Sequence, residues 1–388
     1  MNILLTGGRA PATLDLARAF HRAGHTVFMA ESLRGHLSEP SNALTRNFLV
    51  PPPRQQTAGF LSALSEIIQK HNIDLLIPTC EEIFYVAMGC DQLPCKVFAE
   101  SINRLNTLHN KWDFALKAVD YELSIPETIL VTNQDDLLHA YAQWSELVLK
   151  PIYSRFAART LIRPPLKRAL ATLNYDSPWI AQEQVDGQQI CTYSVCHSGH
   201  ITAHTAYLSE FTAGQGATVV FQHIDHPITF HWVQKFVAAI GFSGQIAFDF
   251  MQTADGEIFA LECNPRATSG IHLLTAHPDF VNAFLNEDMP CITPRGHSSY
   301  MLSTAMLLYG LPASLTAGRL GKWRHTFFGS DDVIYKREDP RPFWHQFKSI
   351  IYYFRLARQN KVSPLEASTF DIEWNGEKDS HGTFEEPF

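Results

Sequence analysis

The 388-residue chain reads as an α/β protein that turns α+β in its second half. From residue 1 to 105, short apolar runs alternate with helical patterns, as βαβ units around a parallel sheet do. Between Gln245 and Asn264, two runs alternate apolar and polar residues with a period of two about Asp255-Gly256, as the arms of an antiparallel hairpin do. The length suits two or three domains, and 45% hydrophobic with 18% charged residues is the composition of a globular chain with a sizeable core.

Asn2–Thr6 is an apolar strand, Thr13–Ala23 a helix and Thr26–Ala30 a second strand. Leu61–His71 follows as a helix, with Ile73–Pro78 and Lys96–Ala99 as strands, giving a doubly wound first domain over residues 1–105. The turn Thr6-Gly-Gly-Arg-Ala-Pro, with Glu31 just past the second strand, invites a dinucleotide reading, but the third glycine of that fingerprint is missing. A domain of this type without a dinucleotide fits better. Thr79-Cys-Glu-Glu follows the third apolar strand, where open α/β sheets bind ligands. Glu81 or Glu82 is therefore a candidate for holding a substrate amine, and a carboxylate favoured by a helix N-terminus explains the pair equally well.

Further on, His109–Lys117 reads as a helix, and Leu147–Pro151 as a strand carrying Lys150 inside an apolar run, which is rare without an anionic partner. Ile190–Tyr207 reads as a hairpin around His197-Ser-Gly-His and Phe230–Ile240 as a helix. His223, His226 and His231 match no zinc spacing and read as loop residues. Ala267–His272 reads as a helix entrance whose N–H groups, at Ser269 and Gly270, could receive a substrate carboxylate; capping by Ser269 is the alternative. Met301–Leu308 reads as an apolar strand, Phe343–Arg358 as an amphipathic helix and Asn375–Phe388 as a loose polar tail.

The hairpin carries the chemistry. With Asp255-Gly256 as a two-residue turn, Asp249 lies opposite Glu262 and Ala247 opposite Asn264. Carboxylates so opposed sit about 4.5–5.5 Å apart at Cβ and repel. An apolar hairpin keeps them only with compensation, which a hard divalent cation supplies, Asn264 adding a neutral oxygen. A solvated acidic face is the alternative.

An acid followed thirteen positions later by Glu-x-Asn-Pro-Arg resembles the metal hairpin of the ATP-grasp superfamily. Its members make an acyl phosphate from a carboxylate and ATP, then pass the acyl group on, usually to an amine. The resemblance implies an ATP-grasp domain of two α+β subdomains over residues 106–290: a nucleotide lid over 110–187 and a metal-binding sheet over 188–290, with 291–388 as its C-terminal part. It implies that Asp249, Glu262 and Asn264 bind two Mg2+ ions, or Mn2+, between the ATP phosphates, and that Arg266 is catalytic, stabilising the phosphoryl group in transfer or the acyl phosphate. Lys111 and Lys150 resemble the family's two ATP-phosphate lysines. The family's glycine-rich lid loop is here the glycine-free run Ile152–Thr160, in which Ser154 and the guanidinium of Arg155 or Arg159 would stand in for it. Trp179–Gly187 resembles the linker that holds adenine, with Glu183 on the amino group and the Val185 backbone completing the edge. Gln189 stands where the family has a ribose-binding acid, a polar strand end being the alternative.

A net charge of −8 with no Lys/Arg-rich run argues against nucleic acid as a partner. No apolar stretch approaches the ~20 residues of a membrane span, so no membrane partner is expected. Seven cysteines, odd in number and without a CxxC spacing, and a start that runs straight into a strand predict reduced thiols in the cytoplasm. The expected function is an ATP-dependent ligase that joins a small carboxylate to an amine, giving an amide or peptide bond with ADP and phosphate; a homodimer stays open. A bicarbonate-using carboxylase, a degenerate ATP-binding protein and a dinucleotide-dependent oxidoreductase are the other readings.

Overall fold

Five parallel strands open the chain: β1 (Asn2–Thr6), β2 (Thr26–Glu31), β3 (Arg46–Leu49), β4 (Leu75–Ile77) and β5 (Lys96–Val97), ordered β3-β2-β1-β4-β5. The computed structural model describes residues 1–155, 159–213, 217–296 and 299–376. The central strands are apolar throughout because both faces are covered. On one face lies α1 (Pro11–Arg22); on the other, α2 (Thr57–His71) and α3 (Glu82–Met88). Strand order reverses between β1 and β4, so the ligand-binding edge of this sheet lies where Gly7-Gly8 and Thr79–Glu82 meet. Protein side chains fill that turn. A Cβ on Gly7 (φ +77°) would meet Thr79 Oγ1 at 2.5 Å, and one on Gly8 would meet His36 at 2.6 Å. Glu31 is engaged by the backbone and guanidinium of Arg9, which also pairs with Asp371 from the far end of the chain. The acid proposed for a ribose is thus committed to an internal ion pair.

Next, α4 (Ile102–His109) and α5 (Lys111–Asp120) meet at Asn110, whose side chain accepts from the N–H groups of Trp112 and Asp113 and so caps α5 with Lys111 at its first position. A four-stranded antiparallel sheet follows: β6 (Thr128–Val131), β7 (Leu147–Pro151), β8 (Leu161–Ile162) and β9 (Trp179–Glu183), ordered β6-β9-β7-β8. Strand alternation sends Leu147, Leu149, Trp179 and Ala181 into a core under α6 (Gln134–Gln143) and α7 (Leu166–Thr172). It leaves Lys150 and Gln182 together on the opposite face, joined by a 2.9 Å hydrogen bond from Nζ to Oε1.

The largest sheet begins with β10 (Gln188–His197) and β11 (His200–Ser209), joined through Ser198 and Gly199, both at positive φ, as expected of a two-residue hairpin. A small flap, β12 (Thr212–Ala213) and β13 (Ala217–Thr218), precedes β14 (Val220–Ile224). Helix α8 (Pro227–Ile240) starts on Pro227 behind the His226 cap and ends at Gly241, at φ +59°. Its Trp232, Val233, Phe236 and Val237 pack on Ile246, Phe248 and Phe250 of β15 (Gly244–Gln252), which pairs with β16 (Ile258–Asn264). The opposite face of β10 and β11 presents Tyr193, Val195 and Ala203 to the first domain. With β17 (Ser299–Met301) and β18 (Asp331–Asp332), the order is β16-β15-β10-β11-β14-β17-β18. The chain continues through α9 (Asn282–Leu285), α10 (Ser303–Ala305), a π-helical turn at Met306–Gly310, α11 (Leu311–Thr316), α12 (Leu320–Gly329), α13 (Arg341–Asn360) and α14 (Pro364–Ala367).

Five local expectations need correction. The Asp255-Gly256 turn is a three-residue loop: Gly256 N–H donates to Thr253 O, Gly256 takes φ +91°, and Thr253 N–H donates to Glu257 O. That would shift the register by one, but Leu261 bulges out of β16 and shifts it back, so Asp249 still faces Glu262 and Ala247 faces Asn264. The bulge puts Ile258, Ala260 and Cys263 on one buried face, where simple alternation separates Ala260 from Cys263. Met301–Leu308 is a strand only to Met301 and then turns helical, and Ser269–Leu273 forms a 3-10 turn in place of an α-helix. His223 lies in β14 and His231 in α8, leaving His226, the α8 cap, outside the regular elements.

Candidate active site

The opposed acids sit at the centre. Burial and the neighbouring Glu262 push the Asp249 carboxyl well up. Burial would raise Glu262 too, but Lys111 and then Lys150 outweigh it and hold Glu262 well below the usual carboxylate range. Lys111 Nζ lies 3.3 Å from Glu262 Oε2 and donates to the Ser154 carbonyl at 3.3 Å. Burial pushes Lys150 down to about 8, with Glu262 opposing the shift. The compensation sought in a metal ion alone is therefore partly built into the chain, as two lysines brought over from α5 and β7. Cys191, paired with Asp249 across β10 and β15, fills the far side of the acid, and its thiol is pushed up by burial and then by Asp249. Gln189 is two residues before Cys191 on the same strand face, its Nε2 4.0 Å from the Cys191 sulfur.

Past the strand, Asn264 Oδ1 accepts from Arg266 Nη2 at 3.2 Å, and the same nitrogen lies 3.9 Å from Glu81 Oε1. Arg266 thus bridges the β15–β16 hairpin and the carboxyl edge of the first domain. Burial would raise Glu81, but Arg155, then His109 and Arg266, keep it low. Glu81 is close-paired with Arg155 Nε and accepts from the Trp374 N–H at 3.0 Å. Glu82 is oriented by Thr6 Oγ1 and the N–H groups of Thr79 and Cys80, all on Oε1, while its Oε2 is buried without a hydrogen-bond partner among the described residues.

The lid run departs from the expected arrangement. Arg155, proposed for phosphates, donates to Glu81, Glu373, the Trp374 carbonyl and Asn375. Ser154 contributes its carbonyl to Lys111. Residues 156–158 of this run, and 377–388 of the expected tail, lie outside the described residues. In the adenine linker, Glu183 ends β9 with its side chain exposed, and the Val185 carbonyl already accepts from Gln184 Nε2 at 3.0 Å. Gly270 is packed so closely that a Cβ would meet Tyr193 Cβ at 2.4 Å, while Ser269 stays half-buried at the turn.

Sequence reasoning missed three participants. Gln182 is signalled only by a polar residue at an inward position of an apolar strand, and Cys191 only by its register against Asp249. Glu373-Trp374 lies between the Phe343–Arg358 helix and the polar tail, where the sequence carries no motif. Trp374 is fully buried, stacks on Phe84 at 5.4 Å and donates to Asn106, a lone tryptophan in a polar segment being its one signal.

A parallel-sheet domain followed by two α+β units that bring Lys150 and Glu262 toward each other is the ATP-grasp architecture, and the chain has that fold. No protein-family model and no curated protein sequence matches it. Solved structures do. N5-carboxyaminoimidazole synthetase from Staphylococcus aureus, complexed with ADP, is similar at 13% identity over 81% of this chain and 86% of that one, with TM-score 0.64. Biotin carboxylase from Campylobacter jejuni, in a β-γ-ATP complex, is similar at 12% identity over 77% and 74%, TM-score 0.62. An L-amino acid ligase from Bacillus licheniformis is similar at 13% identity over 69% and 68%, TM-score 0.54. At these identities the likeness is one of fold.

Proposed function

We propose that the protein is an ATP-dependent, ADP-forming ligase that activates a small carboxylate as an acyl phosphate and transfers it to an amine. One observation carries the reading: two opposed carboxylates, Asp249 and Glu262, share a cleft with two buried lysines, and Arg266 stands at its edge. Two carboxylates and the Asn264 amide oxygen form a hard-oxygen donor set that fits Mg2+ or Mn2+. Bound there, such ions would supply charge neutralisation along the triphosphate.

Lys111, released from Glu262, and Lys150, released from Gln182, donate to phosphate oxygens by charge-assisted hydrogen bonds. Arg266 stabilises the oxygens that gain charge during phosphoryl and acyl transfer, and Glu81 and Asn264 fix the direction of its guanidinium. Glu183 and Val185 take the adenine edge and Gln189 the ribose. Glu82, whose Oε2 accepts no hydrogen bond among the described residues, is favoured for the amine over Glu81, which Arg155 already pairs. Ser269 and Gly270 offer N–H groups to the substrate carboxylate. The seven free cysteines agree with a cytoplasmic setting.

ADP release measured with Mg2+ over panels of amino acids and small acids tests the reading. Release that depends on both a carboxylate and an amine supports it, and none with any pair removes it. A second reading, bicarbonate as the carboxylate, is supported by the carboxyaminoimidazole synthetase and biotin carboxylase likenesses. Fixation of labelled bicarbonate into an acid-stable product separates the two.

A further inference from the structure

Helix α13 leaves a stripe of large apolar side chains uncovered. Its inward side buries Pro342, Gln346, Ser349 and Ala357, with Phe343 half-buried against the neighbouring core and Tyr353 half-buried, and Ser349 Oγ donates to Gly35 O at 2.6 Å. Its outward side carries Trp344, Phe347, Ile351 and Phe354, spaced three to four residues apart on one helical stripe, with Trp344 68% and Phe354 60% exposed. Folding uses little of this apolar surface, whereas an amphipathic helix in a globular protein buries its large residues. Nearby in sequence, Leu308, Leu315 and Phe328 are also exposed.

The charges specify the partner. Residues 341–361 hold five cations, Arg341, Lys348, Arg355, Arg358 and Lys361, and no carboxylate, in a chain whose net charge is −8. Lys348, Arg355 and Arg358 are exposed around the apolar stripe and make no ion pair among the described residues. A second copy laid on this face in a two-fold dimer would set five cations against five. An aromatic and aliphatic stripe flanked by Lys and Arg suits an anionic lipid surface, where the rings enter the headgroup boundary and the cations meet lipid phosphates.

We propose that α13 docks the protein on anionic membrane surfaces, lying in the interface without crossing it. No helix among the described residues is long and apolar enough to span a bilayer. The expectation of no membrane partner rested on span length, a criterion that does not see a helix lying flat. The proposal is independent of the ligase reading, because α13 contributes no residue to the lysine–carboxylate cleft.

The test is flotation of the full-length chain with vesicles of phosphatidylcholine alone or of equal parts phosphatidylcholine and phosphatidylglycerol. Binding to the mixed vesicles only, weakened by added salt, is the expected result. Trp344→Ser/Phe354→Ser and Arg355→Glu/Arg358→Glu should each lower that binding by on the order of tenfold or more. Both pairs change exposed side chains only, so unchanged melting temperatures certify folding. Should either variant fail to fold, quenching of the native protein's tryptophan fluorescence by brominated lipid in mixed vesicles carries the test, and no quenching overturns the proposal. Absence of binding to mixed vesicles, equal binding to both compositions, or unchanged binding by folded variants also overturns it. So does a concentration-dependent dimer that Trp344→Ser/Phe354→Ser abolishes while vesicles are ignored.

Discussion

Neutralising either of two facing acids normally has similar consequences, but here the two should differ in sign. Asp249 is pushed up by burial and by Glu262, so Asp249→Asn removes a repulsive, poorly solvated partner at constant size. The expected gain for the ligand-free protein is about 0.2–1 kcal/mol, the scale of a cross-strand pair. Glu262 instead holds Lys111 at 3.3 Å, and that lysine is only 4% exposed. Unit charges about 4 Å apart near a protein surface interact by about 4 kcal/mol. Glu262 retains 29% exposure, and its removal also relieves Asp249, so Glu262→Gln should cost a net of about 1–3 kcal/mol. Thermal melts without ligand should rank Asp249→Asn at or above wild type and Glu262→Gln below it. The wild type should show Mg2+-dependent stabilisation by ATP, about 2.7 kcal/mol at a ligand concentration 100-fold above Kd, and both variants should lose it. If Glu262→Gln is no less stable than Asp249→Asn, the lysine compensation argued here is wrong; if either variant keeps the full magnesium-dependent shift, the hairpin is not the metal site.

Lys111→Ala and Lys150→Ala should each weaken ATP binding by roughly 10–100-fold in calorimetry, the equivalent of one charge-assisted hydrogen bond. Arg155→Ala leaves the buried Glu81 without its main counter-charge and should cost about 3–5 kcal/mol while exposing residues around Trp374 to limited proteolysis; an arginine serving phosphate alone would show unchanged stability and lost ATP affinity. His204 is buried and its imidazole is pushed down to about 3 by burial. The unfolded chain binds its proton near pH 6.5 and the folded chain does not, so stability should fall as pH drops from about 6.5 toward 3, by at most ~1.4 kcal/mol per pH unit from this group. Urea titrations across that range should show a shallower fall for His204→Gln.

Periodicity and turn chemistry were enough for the first domain and for the hairpin, because period-two alternation and βαβ order are local signals. The facing of Asp249 and Glu262 was legible for a partly accidental reason: a longer turn and the Leu261 bulge displace the register in opposite directions and cancel. A bulge has no dependable single-sequence signal, so simple alternation misplaces Ala260 relative to Cys263. Lys150 was readable as a cation in an apolar strand, and its distance from Glu262 was not, since it depends on how two sheets sit across a cleft. Arg155 shows the same limit. Its chemistry marks it for anions, and nothing local says that the anions are Glu81 and Glu373 rather than a phosphate.

The C-terminal segment changes how the cleft should be understood. Asp371 completes the Arg9–Glu31 pair, Glu373 bridges Arg54 and Arg155, and the Trp374 N–H holds Glu81. These contacts join the first domain, the lid strand and residues more than 200 positions away in one charge network. Arg266 enters that network through Glu81, so the direction of its guanidinium depends on a tryptophan more than 100 residues downstream. Arg155 and the Trp374 N–H both engage Glu81 Oε2, with Arg266 near Oε1, so Glu81 is tied to groups of the protein, whereas Glu82 Oε2 is buried and accepts no hydrogen bond among the described residues. On the proposed ligase reading the two neighbouring acids would do different work: Glu81 positions cations of the protein, and Glu82 is left for a cation of the substrate. Glu82→Gln should accordingly raise KM for the amine with little change in ATP affinity. Glu81→Gln should lower kcat through Arg266 and lower stability through Arg155. Equal effects of the two substitutions on amine KM, measured by ADP release, would refute that division.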